Sequence, residues 1–409
     1  MKKNTKQKIK NTNKVQAKKN RKAIIIGLIA LVILIAGIWT GFYIRKKIND
    51  RTVRIAFYGL SDEYVNLLKE YIPQEEEVIL KYDVIAPGAM DLSIITRKYD
   101  MLFTWKGEVT DSLAGGIESI PGKILDNIPT SLRDKKCLPI LLDHYEFDIY
   151  KPTMEKTGIN PSENFTQLTN YLSAAKDYVF SPFFTNGGDD RTLLAFIGVL
   201  TEAMGGLKAY NNLIEAMKPA QSLSDFIDVE LADLSGEKLT VRYILEMLKT
   251  WPAEGITHPQ WYRGNFNDLQ TFAEDSQLAG FFTSLSQHRT IKYSIVSNFE
   301  TIRMPSLSYN VDHALIAPAI SGLLITDNSN SKKILATLIS EDVQDALSTK
   351  TMLAPVHYRA AAYDIQADDV RYWAASCAGG PLSDLYLAVY QRQPEKFAEM
   401  ANEIRAYIK

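Results

Sequence analysis

Residues 53–105 read VRIAFYGLSDEYVNLLKEYIPQEEEVILKYDVIAPGAMDLSIITRKYDMLFTW, and the fold follows from this stretch. Residues 53–59 (VRIAFYG) hold the β-branched Val53 and Ile55 and the aromatic Phe57 and Tyr58 and read as a strand. Tyr64, Leu67, Leu68, Tyr71 and Ile72 then recur at helical spacing, and Ser61 stands where an N-cap belongs. Residues 77–85 read as a second strand, 91–98 as a second helix and 99–105 as a third strand. Strand, helix, strand, helix, strand implies parallel pairing in an α/β domain. Ligands of such sheets sit at the carboxyl ends of the strands. Trp105 stands at one of those ends.

The alternation continues. Residues 137–150 (CLPILLDHYEFDIY) form the next extended stretch. Asn164 opens a helix with Gln167 three residues on, as in a capping box, and Leu168, Leu172 and Ala175 share its inner face. Residues 178–184 read as a strand, and the loop 185–191 (TNGGDDR) leads into an apolar helix that Gly205 and Gly206 stop. Thr240 caps a helix with Val241, Ile244, Leu245 and Leu248 inside. Residues 278–285 and 294–304 read as strands. Ser331 starts a helix with Ile334, Leu335, Leu338 and Ile339 inside, and Pro394 opens the last one, which buries Phe397, Met400, Ala401, Ile404 and Ile408. No Pro/Gly/Ser linker divides the chain. A two-lobed α/β protein whose chain crosses between lobes more than once fits this pattern.

Before this region lies AIIIGLIALVILIAGIWTGFYI, residues 23–44, which begins at Ala23, ends at Ile44 and holds no charged residue. A helix of that length spans roughly 33 Å, enough for a hydrocarbon core of about 30 Å, so one transmembrane helix is expected here. Ten Lys or Arg residues and no acid precede it, so the segment 1–22 is expected to be a basic cytoplasmic tail. The run is longer than a signal h-region and ends in bulky residues, so an anchor is expected rather than a cleaved signal. Residues 45–52 would be a juxtamembrane linker. Without the ten tail residues the chain has 36 basic against 48 acidic side chains, a net −12. That balance argues against a nucleic-acid partner. Cys137 and Cys377 are 240 positions apart and are expected to be free thiols; the five His residues show no metal-ligand spacing, so neither a metal nor a cofactor is expected.

Several segments resemble the extracellular solute-binding proteins of ABC importers, in the maltose-binding-like, sugar-binding branch. YDMLFTW followed by KGEVTDSLAGGIESI resembles that family's D-hydrophobic-F-W segment. LPILLDHYEFDIYKPTMEKTGI resembles its first crossover, and NFTQLTNYLSAAK its T-W-x-E-L helix, although Leu168 stands near the usual aromatic. FNDLQTFAEDSQLAGFFTS resembles its F-x-x-G-x-A-A-M strand, with SQLAGFF in place of G-K-A-A-M. ALIAPAISGLLITDNSNSKKILATLIS and EDVQDALSTKTMLAPV resemble its second-half signature, with Pro355 in the loop. The resemblance implies a two-lobed periplasmic-binding-protein-like fold with multiple crossover strands, preceded here by one transmembrane helix. Lobe 1 would hold 53–142 plus 305–350, and lobe 2 would hold 143–304 plus 351–409.

The resemblance also places Trp105, Glu108, Asp143, Tyr145 and Tyr386 at ligand-binding positions. From the residues alone, Trp105, Asp143 and the loop with Asn186, Asp189 and Arg191 lie at strand ends, where a cleft would form. Flat aromatic faces pack on the apolar face of a pyranose, and carboxylates, amides and Arg take its hydroxyls. Each has a structural alternative: a strand-end Trp is often packing, and Asp189-Asp190 at a helix start complements the helix dipole. The cluster of Trp251, Trp261 and Tyr262 is expected to pack on its own lobe. The function implied is a membrane-anchored, extracytoplasmic receptor, not an enzyme, that delivers a small sugar-like ligand to an ABC importer permease. The competing classes are a ligand-sensing ectodomain that signals through a partner and an exported glycoside hydrolase. No Ser-His-Asp elbow, metal motif or phosphate loop supports an enzyme. The full-length protein is expected to stay in the membrane pellet after alkaline carbonate extraction, with its N-terminus inside. Recovery of a soluble form beginning after about residue 40 would contradict the anchor.

Overall fold

The computed structural model describes residues 51–409, together with Leu34, Trp39 and Thr40, which are helical. The expected tail 1–22 and the linker through residue 50 lie outside the described residues. So does nearly all of the expected transmembrane helix, including both of its ends, Ala23 and Ile44. The chain divides into a small unit, Met1–Val53 with Glu76–Leu80, and a large one, Arg54–Glu75 with Lys81–Lys409. In the small unit Arg51 pairs with Glu77 at 3.2 Å. The large unit contains the site.

The chain runs through β1 (Thr52–Tyr58), α1 (Asp62–Tyr71), β2 (Ile79–Ile85), α2 (Leu92–Lys98) and β3 (Met101–Trp105), the expected order. β1 and β3 pair in parallel from Ile55↔Met101 to Tyr58↔Thr104. Ser61 occupies the N-cap of α1 but makes no capping hydrogen bond; Asp62 and Glu63 in the first turn complement the dipole instead. After α3 (Glu108–Leu113) come β4 (Leu138–Leu142) and β5 (Tyr145–Tyr150). The stretch 137–150 is thus two strands, not one. It breaks at Asp143-His144 because its halves belong to different sheets.

The second sheet and its cover follow: α4 (Phe165–Ala175), β6 (Ser181–Thr185), α5 (Asp190–Met217), α6 (Val241–Glu254), β7 (Leu278–Ser284) and β8 (Phe299–Ile302). The chain then returns through β9 (Ala319–Leu324), α7 (Ser329–Leu338), α8 (Glu341–Thr351) and β10 (Ala354–Pro355), and ends with α9 (Ile365–Ser376) and α10 (Pro394–Ile408). The six-stranded sheet has the order β10-β4-β9-β3-β1-β2 and the four-stranded sheet β8-β5-β7-β6. Parallel pairing is only part of the first sheet. β9 enters from the other sheet without a covering helix and lies antiparallel to both β3 and β4.

Several boundaries differ from the sequence reading. Residues 178–180 turn before β6 begins, and Tyr293–Val296 is a helical turn, because β8 is confined to the residues that face β5. Asn328, not Ser331, caps α7, accepting from the backbone N–H groups of Asn330 and Ser331. The stop expected at Gly205-Gly206 is a kink. Gly206 has φ +73°, and a Cβ there would lie 2.6 Å from the Asp312 carbonyl oxygen, so only glycine lets α5 turn at that contact. α5 is long and apolar enough to cross a membrane, but it is a buried core helix.

The second lobe is packed around aromatics. Phe147, Phe183 and Phe196 stack in succession at 5.2 Å, Trp251 meets Phe183 edge-on at 5.6 Å, and Trp261 is fully buried. The 251–262 cluster is packing, as the structural alternative has it. Cys137 is buried, Cys377 half-buried, and both are free thiols.

His313 ties the loop before β9 to α5. Its Nδ1 lies 3.1 Å from Glu202 Oε1 and its Nε2 2.7 Å from the Ser308 carbonyl. Both partners are acceptors, so the doubly protonated ring satisfies both. Burial alone pushes the imidazole down, but the Glu202 and Ser308 hydrogen bonds outweigh it and raise the pKa above 6.5. A raised His contributes stability that is present below the unfolded pKa and lost as pH climbs through the folded one. Thermal unfolding between pH 6 and 9 should show Tm falling above pH 6.5 in the wild type and less so in His313→Asn.

Candidate functional site

Side chains from both sheets meet at Arg191. The loop TNGGDDR leaves β6 and turns into α5, with Asp189 as N-cap: its Oδ1 accepts from the Thr192 N–H at 2.8 Å and from the Thr192 hydroxyl. A Cβ on Gly187 would sit 2.8 Å from Tyr262 Cα, so a side-chain-free residue allows the loop to lie flat on that segment. Arg191, in the first turn, projects toward the other sheet. Its Nε donates to Asp384 Oδ2 at 2.7 Å, and its guanidinium carbon lies 5.2 Å from the Trp105 ring centre and 5.8 Å from that of Tyr386. These are cation–π distances.

Asp384 organises the polar part. It is 1% exposed and also accepts from the Tyr145 hydroxyl at 3.0 Å and the Leu387 N–H at 2.9 Å. The segment that carries it is tied to the end of β3. Ser383 donates to the Lys106 carbonyl, and Gln391 accepts from the Val109 N–H while donating to the Trp105 carbonyl and the Thr104 hydroxyl. Tyr386–Tyr390 is a π-helical turn, a form that recurs at functional sites. On the other side Tyr64 meets Trp105 edge-to-face at 5.7 Å.

Asp143 lies at the crossing between the sheets, 6% exposed. Its carboxylate accepts from the Ser286 hydroxyl at 2.6 Å, the Ser286 N–H at 3.0 Å and the His144 N–H at 2.9 Å. Burial pushes its pKa up, and these donors together with Arg191 pull against that. Burial likewise raises Tyr145, reinforced by Asp384, and raises Tyr386. For Arg191 burial works against the charge, but Asp384 outweighs it and the guanidinium stays protonated.

The structure thus brings Trp105, Tyr145, Arg191 and Tyr386 together, with Asp143 behind them. Glu108, Asn186 and Asp189 are engaged elsewhere. Glu108 accepts from the Arg392 N–H at 3.1 Å, Asn186 donates to the Thr192 hydroxyl at 3.3 Å, and Asp189 caps α5. Asp384 and Tyr64 are additions to the residues singled out from sequence. A signal for Asp384 existed: like Asp143 it is a lone acid in an apolar segment, LSDLYLAVY. A shallow cavity of about 460 Å³, lined by residues 188–191, Tyr386, Pro394 and Phe397, opens beside Arg191. Apolar ring faces beside a fork of charged donors suit a polar ligand with an apolar face. The described residues also hold one group of close metal-ligand atoms, Glu146, Asp148 and His288, on a different face of β5.

Two mixed sheets joined by repeated crossings, with side chains of both converging beyond β3 and β6, define the two-lobed periplasmic-binding-protein fold. The bacterial solute receptor AcbH, reported to prefer β-D-galactopyranose exclusively, shares it at TM-score 0.63 and 13% identity, over 87% of this chain and 98% of its own. RafE from Streptococcus pneumoniae matches at 0.60 and 13%, over 88% and 97%, and a chitin oligosaccharide binding protein at 0.59 and 15%, over 87% and 97%. At these identities the likeness is one of fold. No protein-family model matches the chain, and no curated protein matches its sequence.

Asp384→Ala leaves the Arg191 charge without its partner. The expected loss of stability in chemical denaturation is about 2–3 kcal/mol, less than the roughly 3–5 for a fully buried pair, because a third of the Arg191 side chain faces solvent. Adding Arg191→Met to Asp384→Ala should recover part of it.

Proposed function

We propose that the protein is an extracytoplasmic solute receptor that captures a small, neutral, polar ligand of the carbohydrate class and delivers it to an ABC importer. It acts by binding and not by catalysis. The observation that carries this reading is the contact of Arg191, from the α5 side, with Trp105, from the end of β3, at 5.2 Å. Aromatic faces and charged donors from both sheets meet where such sheets bind ligands. The net charge of −12 after the basic tail disfavours an anion at long range.

In this reading lobe 1 is 53–142 with 305–350, extended to include β10, which pairs with β4. Lobe 2 is 143–304 with the remaining C-terminal segment. Trp105 is 7% exposed, so a ligand reaches it only when the lobes part. Contacts from both lobes are then made in the closed form alone, and ligand shifts the open–closed equilibrium by its differential affinity. The apolar segment 23–44 tethers the receptor beside its permease and raises the effective concentration there.

A thermal-shift screen of the full-length protein against sugars, amino acids and polyamines tests the reading. A saturating sugar, at about 100 times Kd, should stabilise by roughly 2.7 kcal/mol with no product formed. Trp105→Ala should weaken that binding by about 1–3 kcal/mol with little change in fold, and scattering should show a more compact particle with ligand. Turnover of a sugar, or tight binding of only phosphorylated sugars or dicarboxylates, overturns it.

A further inference from the structure

β5 is the inner strand that first enters the four-stranded sheet, and its two faces differ. Tyr145, Phe147 and Ile149 point into the aromatic core. By alternation His144, Glu146 and Asp148 share the other face, and none is more than 1% exposed. The turn after β7 adds His288, 5% exposed, with Nδ1 2.5 Å from Glu146 Oε1 and 3.3 Å from Asp148 Oδ1. The carboxylates are held from behind. Gln366 donates to both Glu146 oxygens at 2.9 Å, and Thr301, opposite Asp148 on β8, donates to Asp148 Oδ1 at 2.6 Å.

Two atoms of this buried cluster make no hydrogen bond: Asp148 Oδ2 and His144 Nδ1, the latter 4.0 Å from Glu146 Oε2. A buried acceptor without a partner is costly. The charges do not balance either. Two carboxylates face one imidazole, and Arg289, the further cation that acts on Glu146, is paired with Asp364. A doubly charged ion between the two carboxylates cancels both and takes the open position at Asp148 Oδ2. It also has a way in, because a cavity of about 630 Å³ reaches the surface past Arg289 and Tyr363 and is floored by His288, Thr301 and Gln366.

We propose that Glu146, Asp148 and His288 bind one divalent transition-metal cation of the zinc type, with Thr301 and Gln366 orienting the carboxylates. An imidazole nitrogen with carboxylate oxygens is a ligand set of such ions, and outer hydrogen bonds of this kind hold the ligands in place. The site lies on the sheet face opposite the aromatic core. Asp143, at the start of this crossing, is three residues before Glu146, and α9, which carries Gln366, also borders β10 of the other sheet. A bound ion thus fastens the crossing between the sheets.

The test uses full-length protein stripped with EDTA and titrated with zinc sulfate, with manganese and calcium chloride in parallel. One equivalent of zinc should bind with a raised Tm, and calcium should bind at least 10-fold more weakly. Gln366→Leu, which leaves all three ligands intact, should weaken zinc about 10–100-fold. Should Glu146→Gln with Asp148→Asn fail to fold, X-ray absorption of the zinc-loaded wild type decides independently. Imidazole and oxygen ligands at about 2.0–2.1 Å support the site. A sulfur ligand, a shell without imidazole, or no binding at about 1 mM zinc overturns it.

Discussion

The architecture depends on how one residue, Asp143, is held. The chain leaves the six-stranded sheet at Leu142 and joins the four-stranded sheet at Tyr145, so a single dipeptide separates two sheets. A buried acid there is tolerable only because Ser286 and His144 supply three donors and the Pro318 carbonyl takes the Asp143 N–H. Ser286 follows β7 and Pro318 precedes β9. The carboxylate therefore gathers the ends of strands from both sheets around the crossing. Tyr145 follows that crossing directly, and β9 sets Ile320 opposite Trp105.

The C-terminal segment supplies the second tie. Ser383 and Gln391 attach it to the end of β3, and between them Asp384 takes Arg191 and Tyr145. The ion pair is part of the geometry of the site as much as of its chemistry. It presents the guanidinium to two aromatic rings, where a planar cation gains most. These groups are already oriented by one another, which in the proposed function reduces the ordering cost of binding.

The two faces of β5 show how one strand supports two purposes. Tyr145, Phe147 and Ile149 contribute to the aromatic core and, through Tyr145, to the site; Glu146 and Asp148, with His144 just before the strand, bury a polar stripe. Such a stripe weakens a lobe unless every group is satisfied. Thr301, Gln366 and His288 satisfy most of it, and they come from three separate segments.

Much of this was legible in the chain itself. The order of the first five elements and the helix faces of α4, α6 and α10 follow from periodicity and capping residues, which are local properties. Trp105, Asp143 and Arg191 were legible as candidates because a strand end, a lone buried acid and a loop-to-helix turn each leave a local trace; Tyr386 came from the resemblance alone. Only the tertiary structure decided that 137–150 divides between two sheets, that β9 runs antiparallel, that Asp189 serves as a cap and that Asp384 is the partner of Arg191. Residues 191 and 384 are 193 positions apart, as are in kind Glu146 and His288, 142 apart. No local pattern encodes such pairs, because they arise only when strand pairing and crossover have set which side chains share a dry space.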